Sequence, residues 1–316
     1  MASLASQLFG AIVRRRNRGF DNGTLGVARL PAPVVSIGNL SVGGTGKTPA
    51  AITLAVALRQ RGLRVDVLTR GYRRQGRQLA IVERGDEDVT LVGDEPLLIA
   101  RRAQVPVIVH PDRYRAGLQA EHQFHPQIHL LDDGFQHRQL GRNFDLVLVD
   151  PADLDDRLLP AGRLREPPAA LARASAVIWL SPEAECEEAA GRLRAFTNAP
   201  VFVGSKQPRP LAGDAPRRLF GFCALARPES FRSTLQTLGV ELVGWRSFRD
   251  HHAYSEADLQ ALQRAAAQCG AEGLITTEKD AVKLPATLPG LQVVPIDLQI
   301  GRMPELVEQI LQQCGL

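Results

Sequence analysis

Short apolar runs alternate with longer helical patterns along this chain. Runs rich in β-branched residues and leucine at 34–37, 64–68, 105–109, 128–131, 146–149, 176–180 and 201–203 read as strands. Between them lie helical segments, of which 49–60 is the plainest, an Ala-rich helix former carrying Ile52, Leu54, Val56 and Leu58. This alternation predicts an α/β fold on a doubly wound, mostly parallel sheet, with ligands held beyond the carboxyl ends of its strands. A polar, proline-rich segment over 206–218 reads as a linker. After it the same style recurs on a smaller scale, with strands at 219–223, 240–245, 273–276 and 293–296. The expected organisation is a first domain over 1–205 and a smaller α/β domain over 219–316 that closes over the ligand.

Residues 33–48, Pro-Val-Val-Ser-Ile-Gly-Asn-Leu-Ser-Val-Gly-Gly-Thr-Gly-Lys-Thr, set a glycine loop between the first strand and the helical pattern. Backbone N–H groups of such a loop converge on one concavity, and the positive end of the following helix dipole adds to them. Gly43, Gly44, Thr45 and Gly46 supply the loop, and Lys47 and Thr48 can reach a β/γ-phosphate and Mg²⁺, so the expected ligand is a nucleoside triphosphate. Ser41 stands where the usual pattern has glycine. A second element, His-Leu-Leu-Asp-Asp-Gly-Phe-Gln-His over 129–137, ends an apolar strand in paired acids. Adjacent carboxylates repel unless a cation joins them, so Asp132 or Asp133 is expected to hold Mg²⁺ opposite Thr48. Three further clusters follow strands or precede a helix. Arg70 in Thr-Arg-Gly-Tyr is either a phosphate ligand or part of a solvated turn. Asp94 in Gly-Asp-Glu-Pro is either a helix N-cap, the default for that pattern, or a positioned base. The pair His251 and His252 is, on its own, more often structural than catalytic.

Taken in order, these motifs resemble the tetraacyldisaccharide 4'-kinase family. The resemblance rests on residues 36–49, 69–72, 93–96, 131–137, 159–167 (Leu-Pro-Ala-Gly-Arg-Leu-Arg-Glu-Pro), 250–252 and 276–283 (Thr-Thr-Glu-Lys-Asp-Ala-Val-Lys), and so spans almost the whole chain. Arg163 and Ala253 stand where the family pattern has proline, a departure that bears on loop shape alone. The resemblance implies transfer of the ATP γ-phosphoryl group to the 4'-hydroxyl of an acylated disaccharide 1-phosphate, giving lipid IVA at the cytoplasmic face of an inner membrane. It implies that Lys47 and the loop amides neutralise phosphate charge, and that Thr48 with Asp132 or Asp133 holds Mg²⁺. Asp94, helped by His251 or His252, would then orient and deprotonate the sugar hydroxyl. Arg70, Gln136, His137, Arg165 and Glu166 are candidates for the substrate surface, and Glu278 and Lys279 for the nucleotide side of the cleft. A partitioning ATPase or nucleotide switch is the rival class. It is weakened by Val42, where such ATPases have lysine, and by the lack of Asn-Lys-x-Asp; a small-molecule kinase on the same fold is the other alternative.

Composition bounds these readings. The chain has 316 residues, 44% hydrophobic and 23% charged, as ordinary globular proteins have. No run of 18 apolar residues is present, so no spanning helix is expected. Cys186, Cys223, Cys269 and Cys314 are scattered without metal-site spacing, which suits a reducing cytoplasm. Of 38 basic residues only Lys47, Lys206, Lys279 and Lys283 are lysine. Arginine forks bind phosphates bidentately, so an anionic substrate is expected, with the codon choice of a GC-rich genome as the alternative reading for most of these positions; no nucleic-acid partner is expected. At the N-terminus, a helix over about 1–20 aligns Leu4, Leu8 and Ile12 beside Arg14, Arg15, Arg16 and Arg18. The basic cluster follows the apolar stretch, unlike a signal peptide. The stripe is expected either to lie on an anionic membrane surface, favoured by a lipid substrate, or to pack on the protein's own core. No obligate protein partner is expected.

Overall fold

The six residues Val34–Asn39 are buried along their whole length, which a strand achieves only with neighbours on both edges and cover on both faces. The computed structural model describes residues 4–72, 74–181, 186–211, 218–285 and 287–316. Its first half comprises α1 (Leu4–Asp21), β1 (Val34–Asn39), α2 (Lys47–Gln60), β2 (Val65–Thr69), β3 (Ala80–Val82), α3 (Val89–Val92), α4 (Asp94–Ala103), β4 (Val107–Val109), α5 (Arg113–Phe124), β5 (Ile128–Asp132) and β6 (Phe144–Val149). The remainder comprises β7 (Ala176–Leu180), α6 (Cys186–Leu193), β8 (Val201–Pro208), β9 (Arg218–Cys223), α7 (Pro228–Thr237), β10 (Glu241–Ser247), α8 (Glu256–Gln268), β11 (Gly273–Thr277), α9 (Glu278–Ala281), β12 (Leu291–Val294), β13 (Ile296–Ile300) and α10 (Met303–Cys314).

A large sheet runs in the order β13-β8-β7-β6-β1-β5-β2-β4-β3, with β1 at its centre. Strands β8 through β4 are mutually parallel, and β13 and β3 close the two edges antiparallel. The expected α/β class with a mostly parallel, doubly wound sheet is what the chain forms. Because β2 lies on one side of β1 and β6 on the other, the chain reverses its winding about β1, and a crevice opens at the carboxyl ends there. Helix α2 buries Ala50, Ala51, Ile52, Leu54, Ala55 and Leu58. A second sheet, order β10-β9-β11-β12, is parallel throughout.

Two expectations are corrected here. The run 293–296 is not one strand: Pro295 has no N–H to continue a ladder, so β12 stays in the small sheet while β13 crosses to the large one. There β13 pairs with β8 over Ile296↔Pro208 to Ile300↔Gly204, and Thr53 Oγ1 of α2 donates to the Leu298 carbonyl at 3.2 Å. Residues 296–314 therefore complete the large unit instead of belonging to the small one. The expected linker over 206–218 begins as the end of β8, and its residues 212–217 lie outside the described residues. Strand β3 had no clear pattern in the sequence.

Close packing against β1 is strictest at Gly38. A Cβ there would stand 2.5 Å from Phe135 Cβ and 2.7 Å from the Phe135 backbone nitrogen. Gly38→Ala is expected to lower stability by about 1–3 kcal/mol, as overpacking of a filled core does. A chemical-denaturation midpoint equal to that of the parent would show that Phe135 yields without cost.

Candidate active site

The phosphate loop leaves β1 at Asn39 and ends at Gly46, which is left-handed (φ 101°) where a side chain would be strained; α2 starts at the next residue, Lys47. Asn39 is fully buried and organises the loop. Its Nδ2 donates to the Ser41 carbonyl at 2.8 Å and to Thr45 Oγ1 at 2.7 Å. Its Oδ1 accepts from Lys47 Nζ at 3.0 Å and from Arg165. Lys47 also stands 3.5 Å from Asp133, which Arg165 grips with both terminal nitrogens at 2.8 and 3.0 Å. Burial opposes ionisation of Asp133, but Lys47 and Arg165 outweigh it and hold its carboxyl far below the usual range. Asp133 adopts a left-handed backbone (φ 50°), which aspartate tolerates better than most residues.

Asp132 pairs in register with Ile37 of β1. Thr69 Oγ1 donates to its Oδ2 at 3.1 Å, while Oδ1 is buried with no hydrogen-bond partner. Burial, then the nearby charges of Glu95 and Asp133, push Asp132 up to about 7. A carboxylate with one buried oxygen left unpartnered beside a phosphate loop fits a hard divalent cation, which takes one or two protein oxygens and completes its shell with phosphate and water. Thr48, half-buried in the first turn of α2, is the other candidate ligand.

A second group of side chains comes from α4 and the small sheet. Asp94 is the first residue of α4, preceded by Gly93 at φ 96°, so it is not the N-cap that its sequence pattern suggests. Its Oδ1 accepts from the Glu95 N–H at 2.9 Å, and its Oδ2 lies 2.9 Å from His251 Nδ1. Lys279 Nζ stands 3.1 Å from His251 Nε2 and donates to Glu95 Oε1 at 3.0 Å. With an ammonium as the donor, Nε2 is the acceptor, so the imidazole proton sits on Nδ1 and points at Asp94. Burial works against the Asp94 charge, yet the His251 hydrogen bond and Lys279 prevail and its pKa lies below the ordinary value. His251 itself is left-handed (φ 61°), a conformation uncommon outside glycine and typical of over-determined functional positions.

The remaining candidates divide. His252 turns away: it bonds Asp258 at 3.1 Å and stacks on Phe248 with ring centroids 4.7 Å apart. Glu278 is engaged by Arg102 of α4 at 2.6 and 2.7 Å. Gln136 Nε2 donates to the Asn39 carbonyl at 3.0 Å, and the Gln136 backbone carbonyl accepts from Arg16 of α1 at 2.6 Å. Glu166 is buried under α1, accepting from Asn17 at 2.7 Å and Arg173 at 2.9 Å. His137 is pushed down to about 4 by burial and the charges of Arg113, Arg142 and Arg16, so it is neutral near pH 7. Arg70 is exposed, close enough to Arg113 for repulsion to count; burial and Arg70 lower Arg113 to about 10. Asn39, Glu95 and Arg113 were missed by sequence reasoning. Glu95 lay inside a motif already singled out, whereas nothing local marked Arg113.

Comparison with known proteins decides what this constellation belongs to. A sequence model of LpxK, tetraacyldisaccharide-1-P 4'-kinase, matches residues 2–315. The chain belongs to that family. A tetraacyldisaccharide 4'-kinase of Koribacter versatilis is 46% identical over 291 residues, covering 88% of this chain and 87% of its own. That of Aquifex aeolicus is 38% identical over 293 residues, covering 88% of each chain. The crystal structure of Aquifex aeolicus LpxK in complex with ATP superposes with a TM-score of 0.82 at 33% identity, covering 98% of this chain and 96% of that one.

For this member of the kinase family, Asp132 gives a test that needs no ligand. Its folded pKa lies above the unfolded value of about 3.9, so between about pH 4 and 7 the folded state binds more protons and stability falls as pH rises. Asp132→Asn removes that penalty while keeping an acceptor for Thr69. Its melting temperature relative to the parent is expected to rise by a few degrees from pH 5 to pH 8. The same difference at both pH values would mean that Asp132 ionises normally.

Proposed function

We propose that this chain transfers the γ-phosphoryl group of ATP to the 4'-hydroxyl of a tetraacyldisaccharide 1-phosphate, giving lipid IVA. The observation that carries this reading is the Asp94–His251–Lys279–Glu95 chain, set within electrostatic reach of Asp132 at the phosphate loop. A nucleotide switch has no use for a base held ionised by an oriented imidazole; a kinase acting on an alcohol does.

In this mechanism Lys47 and the amides after Gly43 hold the β- and γ-phosphates and offset the charge on the leaving oxygen. Asp132 and Thr48 would hold Mg²⁺, which would supply further neutralisation of phosphate charge. Asp94 accepts the proton of the sugar hydroxyl as its oxygen bonds to the γ-phosphorus and the β–γ bridge breaks to release ADP. His251 directs the Asp94 lone pair through Nδ1–H, and Lys279 fixes the imidazole tautomer. Arg165 positions Asp133, and with Arg70 and Arg113 it surrounds the acceptor with positive charge.

The acceptor sits in a membrane, and α1 supports a peripheral location at its cytoplasmic face. Leu4, Leu8 and Ile12 are 83%, 63% and 58% exposed, while the opposite side of α1 is anchored through Ser6 to the Leu158 carbonyl, Asn17 to Glu166 and Arg16 to the Gln136 carbonyl. The stripe is thus not consumed by the core. Beside it runs a groove of about 980 Å³ lined by Arg14, Arg15, Arg16, Arg18 and Leu25. Apolar residues in the acyl boundary with arginines at the headgroups is the arrangement of an interfacial helix, each arginine adding about 1 kcal/mol at an anionic surface. No helix among the described residues is long and apolar enough to cross a membrane.

Incubation with γ-labelled ATP and a detergent-dispersed acylated disaccharide phosphate is expected to place label in the lipid. Lys47→Ala and Asp94→Asn should each reduce kcat by more than about 10²-fold with little change in melting temperature; near-normal turnover by a folded Lys47→Ala protein would refute the assignment. Changing Leu4, Leu8 and Ile12 together to serine should weaken sedimentation with anionic vesicles and slow lipid turnover while leaving ATP affinity and melting temperature in place. A much lower melting temperature with vesicle binding intact would return the stripe to the core.

A further inference from the structure

Three of the four lysines already have a place. Lys47 lies 3.5 Å from Asp133, Lys279 is 3.0 Å from Glu95, and Lys283 is 2.7 Å from Asp280. In a chain that uses arginine nearly everywhere else, each lysine stands in or behind the site, paired with a carboxylate. The fourth, Lys206, does something different. It lies on β8 beyond Gly204, which pairs with Leu180 at the end of β7, so it stands past the carboxyl end of β7 while still paired with β13. Its Nζ donates to the carbonyl of Gly44, inside the phosphate loop, at 2.7 Å. Its Cε lies 2.9 Å from where a Cβ of Gly46 would stand.

An ammonium carries three donors and no acceptor. One donor of Lys206 rests on the Gly44 carbonyl, at a mouth that solvent reaches, next to a loop whose amides converge on an anion. We infer that Lys206 is a second phosphate-binding cation of the nucleotide site, contacting the terminal phosphates of a nucleoside triphosphate together with Lys47. This rests on reading the loop as an ATP site. Its position adds a consequence: Lys206 sits opposite Leu298 in the β8–β13 ladder, and β13 enters directly from the small sheet through Pro295. Phosphate bound by Lys206 therefore pulls on the strand pair that carries the small unit.

The test measures ATP, ADP and AMP binding to the full chain by calorimetry, without lipid acceptor, at low and high salt. Lys206→Met and Lys206→Gln are both expected to weaken ATP about tenfold and ADP less, leave AMP nearly unchanged, and reduce the salt dependence of ATP binding. Glutamine keeps an N–H donor for Gly44 without the charge. Full ATP affinity in Lys206→Gln, or equal losses for ATP and AMP, would reduce Lys206 to a prop of the loop and overturn the inference. Tight ATP binding by the parent and by Lys206→Met would overturn it alone, whereas a parent that binds no nucleotide would remove the ATP reading beneath it as well.

Discussion

Lys47, Arg165, Asp133 and Asn39 form one closed network: Lys47 lies 3.0 Å from the Asn39 amide oxygen and 3.5 Å from Asp133, and Arg165 reaches Asp133 at 2.8 Å and the same amide oxygen. Coulomb attraction at these distances is about 4 kcal/mol at the effective dielectric of a protein surface, and Lys47 and Arg165 are mostly shielded from water while Asp133 stays partly exposed at the mouth of the site. The phosphate loop owes its shape to this network through Asn39, whose amide reaches both Ser41 and Thr45. On the proposed reading a phosphate entering the loop would compete for cations already gathered there, and the site would exchange partners rather than assemble charge afresh, as a preorganised electrostatic site does.

Helix α4 connects this network to the rest of the machinery. Its N-terminal turn carries Asp94 and Glu95, which meet His251 and Lys279, and its last turn carries Arg102, which meets Glu278 and Asp297. Acids at the positive end of the helix and arginine at the negative end both suit its dipole. Both ends engage α9, through Lys279 at one and Glu278 at the other, so the small unit meets this helix at two charged contacts. Asp280 reinforces the dock from behind: it accepts from the Ala224 N–H, and the Ala224 carbonyl accepts from the His251 N–H, which holds His251 in its strained backbone.

Much of this was legible in the sequence because the signals were local. β-branched runs gave the parallel strands, and the glycine loop before an Ala-rich pattern located β1 and the start of α2. Asp94 and His251 came forward as motif members, but only folding brings them together across 157 residues. Their neighbour His252 carries the same side chain and faces Phe248, because one residue of left-handed backbone at His251 turns the two rings apart. The course of β13 was hidden for a comparable reason. Its pattern continues that of β12, and the sheet it joins is decided by a missing N–H at Pro295 and by Thr53 waiting on α2. The exposed stripe of α1 was equally ambiguous, since helical spacing reports that a face is apolar and not what covers it.

The return of β13 and α10 to the large sheet has a bearing on how the chain comes into being. Leu306, Val307 and Ile310 of α10 share the hydrophobic core with α2 and the central strands, and Thr53 bonds Leu298 across 245 residues. During synthesis the large unit emerges almost entire and then waits for the small one to be made before its edge strand and one covering helix exist. Until then β8 offers an unpaired edge and α2 a bare apolar surface, the features that invite aggregation or chaperone binding. The large unit is therefore completed only after the small one has been made, although it begins first.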